Sequence, residues 1–425
     1  MADRGWELHS PISICQKLWH KISPMTESQV SHVLKTETTP NPFSSSLGPI
    51  LSLAGIFFLN FLSRIALSPL LPTIEKDLSV GHGEAGSFFL LISLGYFAML
   101  LASSIVSSQL NHRKTILLSS VLVGCALLFV SMSQDLWGIR LGFVLLGMAA
   151  GLYLPSGIVT LTALVRSQDL GKAIAVHELA PNLAYVVAPL LVETFLRWGS
   201  WRDVLMVLGF ASMLSGFIFG FWGKGGAFRG EIPNTKTLSS FLFTPSFWFM
   251  VIIFTLGIGG SLGVYSMIPL YLVVEGGMEK SSANALVALS RIPTLGISFL
   301  SGWITDRIGP KRTLRVIFVG AGVMTSLLGL TSGSWLSLIV FLQPVVAAAF
   351  FPPGFTLLSK MSSLGIRNLV TSVTVAVGFL LGGGVIPSGL GVMGEVSSFR
   401  LGFVVAGVLF ASGALLIPRL RLVEE

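Results

Sequence analysis

Twelve apolar runs of membrane-crossing length, parted by short polar loops, decide what this chain can fold into. A helix needs about 20 apolar residues to cross ~30 Å of hydrocarbon. Such runs stand at 48–72, 84–108, 114–132, 137–165, 172–195, 203–222, 244–273, 281–304, 313–332, 335–359, 367–393 and 399–418. The expected fold class is an all-α membrane protein with twelve transmembrane helices. The scarcity of charge supports it: only 11% of residues are charged and mean hydropathy is +0.82, where soluble domains carry roughly 25% charge. So little polar surface cannot cover a globule of this size.

The net charge of +8 does not point to nucleic acid, because the basic residues are scattered among loops and form no aromatic-interleaved patch. The two cysteines, Cys15 and Cys125, read as free thiols, and no C-x-x-C metal pattern exists. Residues 1–46 are polar and lack the apolar core of a secretory signal, so a flexible tail is expected there.

Twelve spans place both termini on one side. Fifteen basic residues, among them Arg113, Lys114, Arg307, Lys311 and Arg312, fall in the loops and C-terminus of that side. Five fall opposite: Lys76, Arg197, Arg202, Lys280 and Arg400. The bias puts both termini in the cytoplasm of a plasma membrane. The polar stretch 223–240 holds Gly223, Gly225, Gly226, Gly230 and Pro233 and reads as a cytoplasmic linker. The expected organisation is a cytoplasmic tail (1–46), a six-helix bundle (47–222), a linker (223–243), a second six-helix bundle (244–418) and a short cytoplasmic tail (419–425).

The halves repeat in register. Arg113-Lys114-Thr115 lies 198 residues before Lys311-Arg312-Thr313, Trp201-Arg202 lies 198 before Phe399-Arg400, and Pro155-Ser156-Gly157 lies 197 before Pro352-Pro353-Gly354. Parallel six-span repeats build transporters whose substrate site lies at the midplane between the halves.

Between the eighth and ninth runs stands Gly302-Trp-Ile-Thr-Asp306-Arg307-Ile-Gly309-Pro-Lys311-Arg312. Its ions place it at a water interface. The pattern G-x-x-x-D-R-x-G-x-K-R resembles the loop signature of the major facilitator superfamily of secondary transporters. The resemblance covers about residues 48–418 and implies two pseudo-symmetric bundles and alternating access. It further implies that Gly302, Asp306, Arg307, Gly309, Lys311 and Arg312 latch the cytoplasmic side, with Gly302 admitting a close helix neighbour and Gly309 a tight turn. The alternative is that the basic residues only enforce topology. The first-half loop, Ser104…Ser108-Gln109…Asn111…Arg113-Lys114, lacks the Gly, Asp and Arg of the motif. Ala188-Pro189 stands where drug antiporters of the superfamily carry Gly-Pro.

Ionisable residues at membrane depth are candidate functional groups. Arg64 follows Asn60 by one turn, and Arg291 lies near the middle of the eighth run. Arg140 and Glu193 are near enough to helix ends to snorkel. Asn60-Phe-Leu-Ser-Arg64 with Ser68-Pro69 and Pro72 resembles the first span of the organic-anion and organophosphate branches of the superfamily. That resemblance implies an anion held by Arg64. Guanidinium chemistry agrees, and Arg291 comes from the other half. Asn182 and Gln343 are the further polar candidates for the substrate site. A structural arginine, bonded to carbonyls or to Glu178, is the alternative.

Glu178 is the acid deepest inside a span. With His177 it is the first candidate for proton coupling; an ion pair between Glu178 and Arg291, or a wet vestibule, is the alternative. His177-Glu178 is no zinc site, because Pro181 occupies the H-E-x-x-H position. Pro155, Pro352-Pro353 and Gly382-Gly383-Gly384 serve either bending or close packing.

The sequence thus favours a monomeric, cofactor-free secondary carrier of a small organic anion, with a cavity lined by spans 1, 5, 8 and 10. The alternatives are an exporter of hydrophobic or amphipathic compounds, or a non-transporting receptor or assembly factor on the same scaffold. No nucleophile–base set, metal cluster or phosphate-binding glycine loop suggests an enzyme.

Overall fold

All twelve expected spans are present. The computed structural model describes residues 43–230, 244–360 and 367–420. The tail with Cys15, the linker residues Pro233 and Lys236, and residues 421–425 lie outside the described residues. The spans are Phe43–Leu78, His82–Leu110, His112–Met132, Leu136–Leu164, Ser167–Leu196, Trp201–Trp222, Pro245–Val274, Lys280–Ile308, Pro310–Leu330, Gly333–Lys360, Val370–Val396 and Phe399–Arg419. They are numbered 1 to 12 below. Helices satisfy every main-chain group within the segment, which hydrocarbon demands.

Span 1 outruns its apolar stretch at both ends. It begins a turn earlier, at Phe43, and ends at Leu78, because Glu75, Lys76 and Asp77 extend the helix past Pro72. Asp77 accepts from the indole of Trp201 at 2.9 Å, which ties this charged end to the start of span 6.

The repeat is visible in the backbone. Spans 2 and 3 (82–110, 112–132) have the same limits as spans 8 and 9 (280–308, 310–330) at an offset of 198. At the turn between them, Asn111 takes φ 82° and Gly309 takes φ 83°. Asn is the residue other than glycine that tolerates positive φ best, and the Asn111 side chain also accepts from Lys114 N at 2.9 Å. The first-half loop therefore makes the same turn without the glycine of the motif.

Several spans are broken near mid-length. Span 1 breaks at Ala66, span 4 at Leu152, span 8 after Arg291 and span 10 at Ala349–Phe350. The breaks of spans 1, 4 and 10 lie two or three residues before Pro69, Pro155 and Pro352, and that of span 8 includes Pro293. Proline lacks the N–H for the carbonyl four residues back. Spans 7 and 11 instead carry π-helical segments, Gly259–Gly263 and Leu381–Val385, which face each other. A Cβ on Gly382 would lie 2.5 Å from Thr255 O, so the glycine triplet serves close packing.

Spans 1 to 6 and 7 to 12 meet mainly at one end of the molecule. The face where span 1 begins and span 12 ends is termed the termini face, and the opposite one the far face. At the far face Gly83 N donates to Glu395 at 2.7 Å, Ser388 Oγ to Gly86 O at 3.1 Å, and Lys280 to Thr73 at 3.4 Å. Deeper in, Ser68 Oγ donates to Tyr265 O at 2.9 Å. Towards the termini face, the inner helices Tyr153–Leu164 and Phe351–Lys360 pack within their own halves. The two halves therefore close on the far side and part towards the termini.

Candidate functional site

Arg64 and Arg291 both stand where their helices break. Arg64 precedes the break of span 1 by two residues, and Arg291 is the last residue of helix Lys280–Arg291. Both are buried, at 8% and 2% exposure. Helix breaks release carbonyls, and the arginines use nearby ones: Arg64 Nε donates to Asn60 O at 3.4 Å, and Arg291 Nη2 to Ser261 O at 3.2 Å in the π segment of span 7. Among the described residues, neither has a carboxylate within ion-pair distance.

Aromatic rings take the place of counter-ions. The Arg64 guanidinium lies 4.4 Å from the centroid of Tyr96 and 5.1 Å from that of Phe61. That of Arg291 lies 4.4 Å from Tyr185 and 4.6 Å from Tyr265. Ring faces carry negative quadrupole density, so this clasp stabilises a buried cation without neutralising it. Phe61 meets Tyr185 edge to face at 5.2 Å, and Tyr185 meets Tyr265 at 4.7 Å. An unbroken chain of rings thus connects an arginine of one half to an arginine of the other. Arg291 Nε and Tyr265 Oη are buried with no hydrogen-bond partner, so two donors in this cluster stand unused.

A cavity opens beside Arg64. Its walls are Phe61, Arg64 and Ile65 of span 1, Phe89, Ile92, Ser93 and Tyr96 of span 2, Leu262 and Ser266 of span 7, and Phe379 and Gly383 of span 11. Its volume is about 30 Å³, room for a water or two in this conformation. Spans 1, 2, 7 and 11 form these walls, while Tyr185 of span 5 and Arg291 of span 8 join the cluster beside it. Which spans face the centre depends on helix rotation, and apolar runs do not encode it.

Other expected site residues are placed differently. Asn60 Nδ2 donates to Ala150 O at 3.3 Å, so the side chain joins spans 1 and 4. Asn182 donates to the carbonyl of Glu178 on its own helix. Gln343 is fully buried within the second half, donating to Gly260 O at 2.8 Å and Thr325 Oγ1 at 3.2 Å. It braces the π segment whose next carbonyl, Ser261 O, receives Arg291. The Glu178–Arg291 ion pair is absent: Glu178 Oε1 lies 3.3 Å from His177 Nδ1 and is half exposed. Arg140 does not snorkel alone but forms a two-point pair with Glu84 at 2.7 and 2.8 Å.

The clasping tyrosines are the residues that the sequence reading missed. The chain has only five tyrosines. Three of them, Tyr96, Tyr185 and Tyr265, hold the two buried arginines. That scarcity was the available signal.

The Major Facilitator Superfamily model matches residues 53–332 and 277–425. The chain belongs to the major facilitator superfamily. Among curated proteins it is similar to sugar efflux transporter A of Dickeya chrysanthemi, 24% identical over 37% of this chain and 40% of that protein. It is also similar to the probable sulfoacetate transporter of Cupriavidus necator, 22% identical over 85% of this chain and 90% of that one. Among solved structures, a bacterial homologue of the human lysosomal transporter Spinster, in an inward-facing and unoccupied conformation, superposes with a TM-score of 0.75 at 16% identity. That match covers 89% of this chain and 97% of the other.

In this facilitator chain the signature loop is exposed. Asp306 forms no ion pair among the described residues, Arg307 lies 3.9 Å over the Trp303 ring, and Lys311 donates to Leu420 O at 2.7 Å. Arg312 is exposed. Gly309 supplies the tight turn as expected. Gly302 does not receive a close neighbour: a Cβ there would meet nothing within 4 Å. The parting of the halves on this side explains that open space.

Proposed function

We propose that this multi-pass membrane protein is a monomeric secondary active carrier of a small organic anion, working by alternating access, with its termini in the cytoplasm. The observation that carries the reading is the pair of buried guanidiniums, one from each half, clasped by rings and lacking an acidic partner among the described residues. An uncompensated buried charge is unfavourable, and guanidinium bonds carboxylate, sulfonate or phosphate oxygens two at a time. A substrate that supplies those oxygens also supplies the missing counter-charge. The likeness to a probable sulfoacetate transporter over most of both chains supports an anion. With the termini face in the cytoplasm, the present arrangement is open inward.

Uptake of labelled sulfoacetate, inorganic phosphate and glucose into proteoliposomes tests the reading. Uptake of at least one anion is expected, with loss in Arg64→Ala. Transport of glucose alone, or undiminished anion uptake by Arg64→Ala, overturns it; binding without flux indicates a receptor.

The loop at Gly302–Arg312 serves as the latch of the outward-open state in this scheme. Among the described residues Asp306 has no ion-pair partner in this arrangement, so Asp306→Asn is expected to leave thermal stability of the empty protein unchanged and to slow uptake. Equal uptake rates at equal membrane expression would remove the latch.

A further inference from the structure

The cavity beside Arg64 is poor in hydrogen-bonding side chains. The rings of Phe61, Phe89, Tyr96 and Phe379, with aliphatic chains of spans 1, 2 and 7, make up most of its wall. Apart from the guanidinium, its side-chain polar atoms are three hydroxyls, those of Ser93, Ser266 and Tyr96. Ser266 Oγ donates to Leu262 O of its own helix at 2.8 Å. Tyr96 turns its ring face to Arg64, 4.4 Å from the guanidinium. Ser93 is buried, at 8% exposure, and is the one wall serine whose hydroxyl has no hydrogen bond among the described residues.

Such a wall treats the two ends of an anion differently. Guanidinium takes the oxygens of the charged head two at a time. The remainder of the molecule meets rings and aliphatic carbon. A sugar hydroxyl placed against that surface loses its water and finds no partner. An aryl body gives up no such hydrogen bonds, and it gains contact with the rings.

We propose that this cavity selects anions with an apolar, ring-sized body, namely aryl carboxylates, sulfonates and phosphates, over polyhydroxylated anions such as sugar phosphates. This selection rests on the anion-carrier reading and narrows the class of cargo.

At about 30 Å³ the cavity holds no such body while Phe379 stays where it is. Tyr96 of span 2 and Phe379 of span 11 meet across the seam between the halves, 5.5 Å apart at their centroids. Tyr96 is 2% exposed, whereas Phe379 is half-buried. Phe379 is therefore the movable wall. Swinging it off Tyr96 joins the cavity to the open space between the halves at the termini face. The substrate ring then takes the place of the Phe379 ring, against Tyr96 and beside the guanidinium. Gly383, one turn on in span 11, adds no side chain to the same wall.

Isothermal titration calorimetry of the purified full-length protein tests the selection with ligands that share a head and differ in body. Phenyl phosphate is expected to bind on the order of 100-fold more tightly than glucose 6-phosphate, a ratio that two unmatched hydroxyls suffice to give. Sulfoacetate, whose body is a single methylene, is expected between them. Phe379→Ala is expected to favour 2-naphthyl over phenyl phosphate by a further factor on the order of ten, from burial of the second ring. Phe379→Leu offers the same comparison with less loss of packing, should the alanine variant fail to fold. Arg64→Ala is expected to lose every anion, and neutral benzyl alcohol to bind far more weakly than phenyl phosphate. Glucose 6-phosphate binding as tightly as phenyl phosphate overturns the selection and leaves the anion reading standing. Binding of sulfoacetate without phenyl phosphate does the same. An unchanged ratio of naphthyl to phenyl affinity in the Phe379 variants overturns the placement of the body in this cavity. Benzyl alcohol binding as tightly as phenyl phosphate, or phenyl phosphate unmoved by Arg64→Ala, sinks the anion reading itself. Silence toward every ligand overturns both.

Discussion

On the proposed anion-carrier reading, Arg291→Met is expected to abolish anion transport and to raise the melting temperature of the empty protein. Met matches much of the length of arginine and is tolerant of shape. Its apolar end sits among Tyr185, Tyr265 and the π segment of span 7 without the unfavourable burial of a charge. Replacing an unbalanced buried ion by a well-packed apolar side chain gains about 1–4 kcal/mol. Losing one member of a buried charge-assisted contact to substrate costs about 2–5 kcal/mol. At about 1.4 kcal/mol per tenfold, anion affinity falls on the order of 100-fold. Arg291→Lys does not restore it, because an ammonium lacks the planar fork and stacks poorly between rings. Thermal unfolding and sulfoacetate binding on the same samples check both signs. A fall in melting temperature with binding retained would make Arg291 a structural brace to Ser261.

Gly86→Leu prevents the far face from closing and stops transport. A Cβ on Gly86 would lie 2.9 Å from Pro387 O and 3.3 Å from Gly391 Cα, so span 11 would have to move as a whole. The same shift breaks the bond from Gly83 to Glu395. On the proposed alternating-access scheme, a carrier that cannot close its far face cannot open its termini face, so loss of uptake is expected while the protein still reaches the membrane. Ser388→Cys, in a protein without Cys15 and Cys125, reports the change. It reacts with an impermeant maleimide from the far side when Gly86→Leu is present and resists it otherwise. Gly389→Leu is the control, because nothing lies within 4 Å of that position. Resistance of Ser388→Cys in both backgrounds would show that Gly86 does not set the closure.

How much could be read beforehand differs by residue type. Arg64 and Arg291 stand out in apolar runs because a charge interrupts hydropathy, and the structure buries both. Tyr96, Tyr185 and Tyr265 do not interrupt it, since a ring counts as apolar while its hydroxyl and quadrupole carry the chemistry. The offset of 198 was legible from two short matches, with a third at 197, and holds to the residue in spans 2, 3, 8 and 9. Gln343 and Asn60, read as cavity residues, hydrogen-bond to neighbouring helices in this arrangement, because the rotation of a helix about its axis is fixed by neighbours distant in sequence. Gly302 was read from its motif as a point of close contact, and nothing approaches it within 4 Å in this arrangement.

The two unbalanced guanidiniums also make the empty carrier electrically different from the loaded one. An elementary charge crossing the whole membrane does about 2.3 kcal/mol of work per 100 mV. Any rocking that shifts Arg64 and Arg291 through part of the voltage drop therefore biases where the unloaded protein rests. On the proposed reading, a bound divalent anion would cancel both charges, and the loaded protein would turn over without feeling the field. The voltage across the bilayer would set how long the carrier waits for its cargo and leave the passage itself untouched.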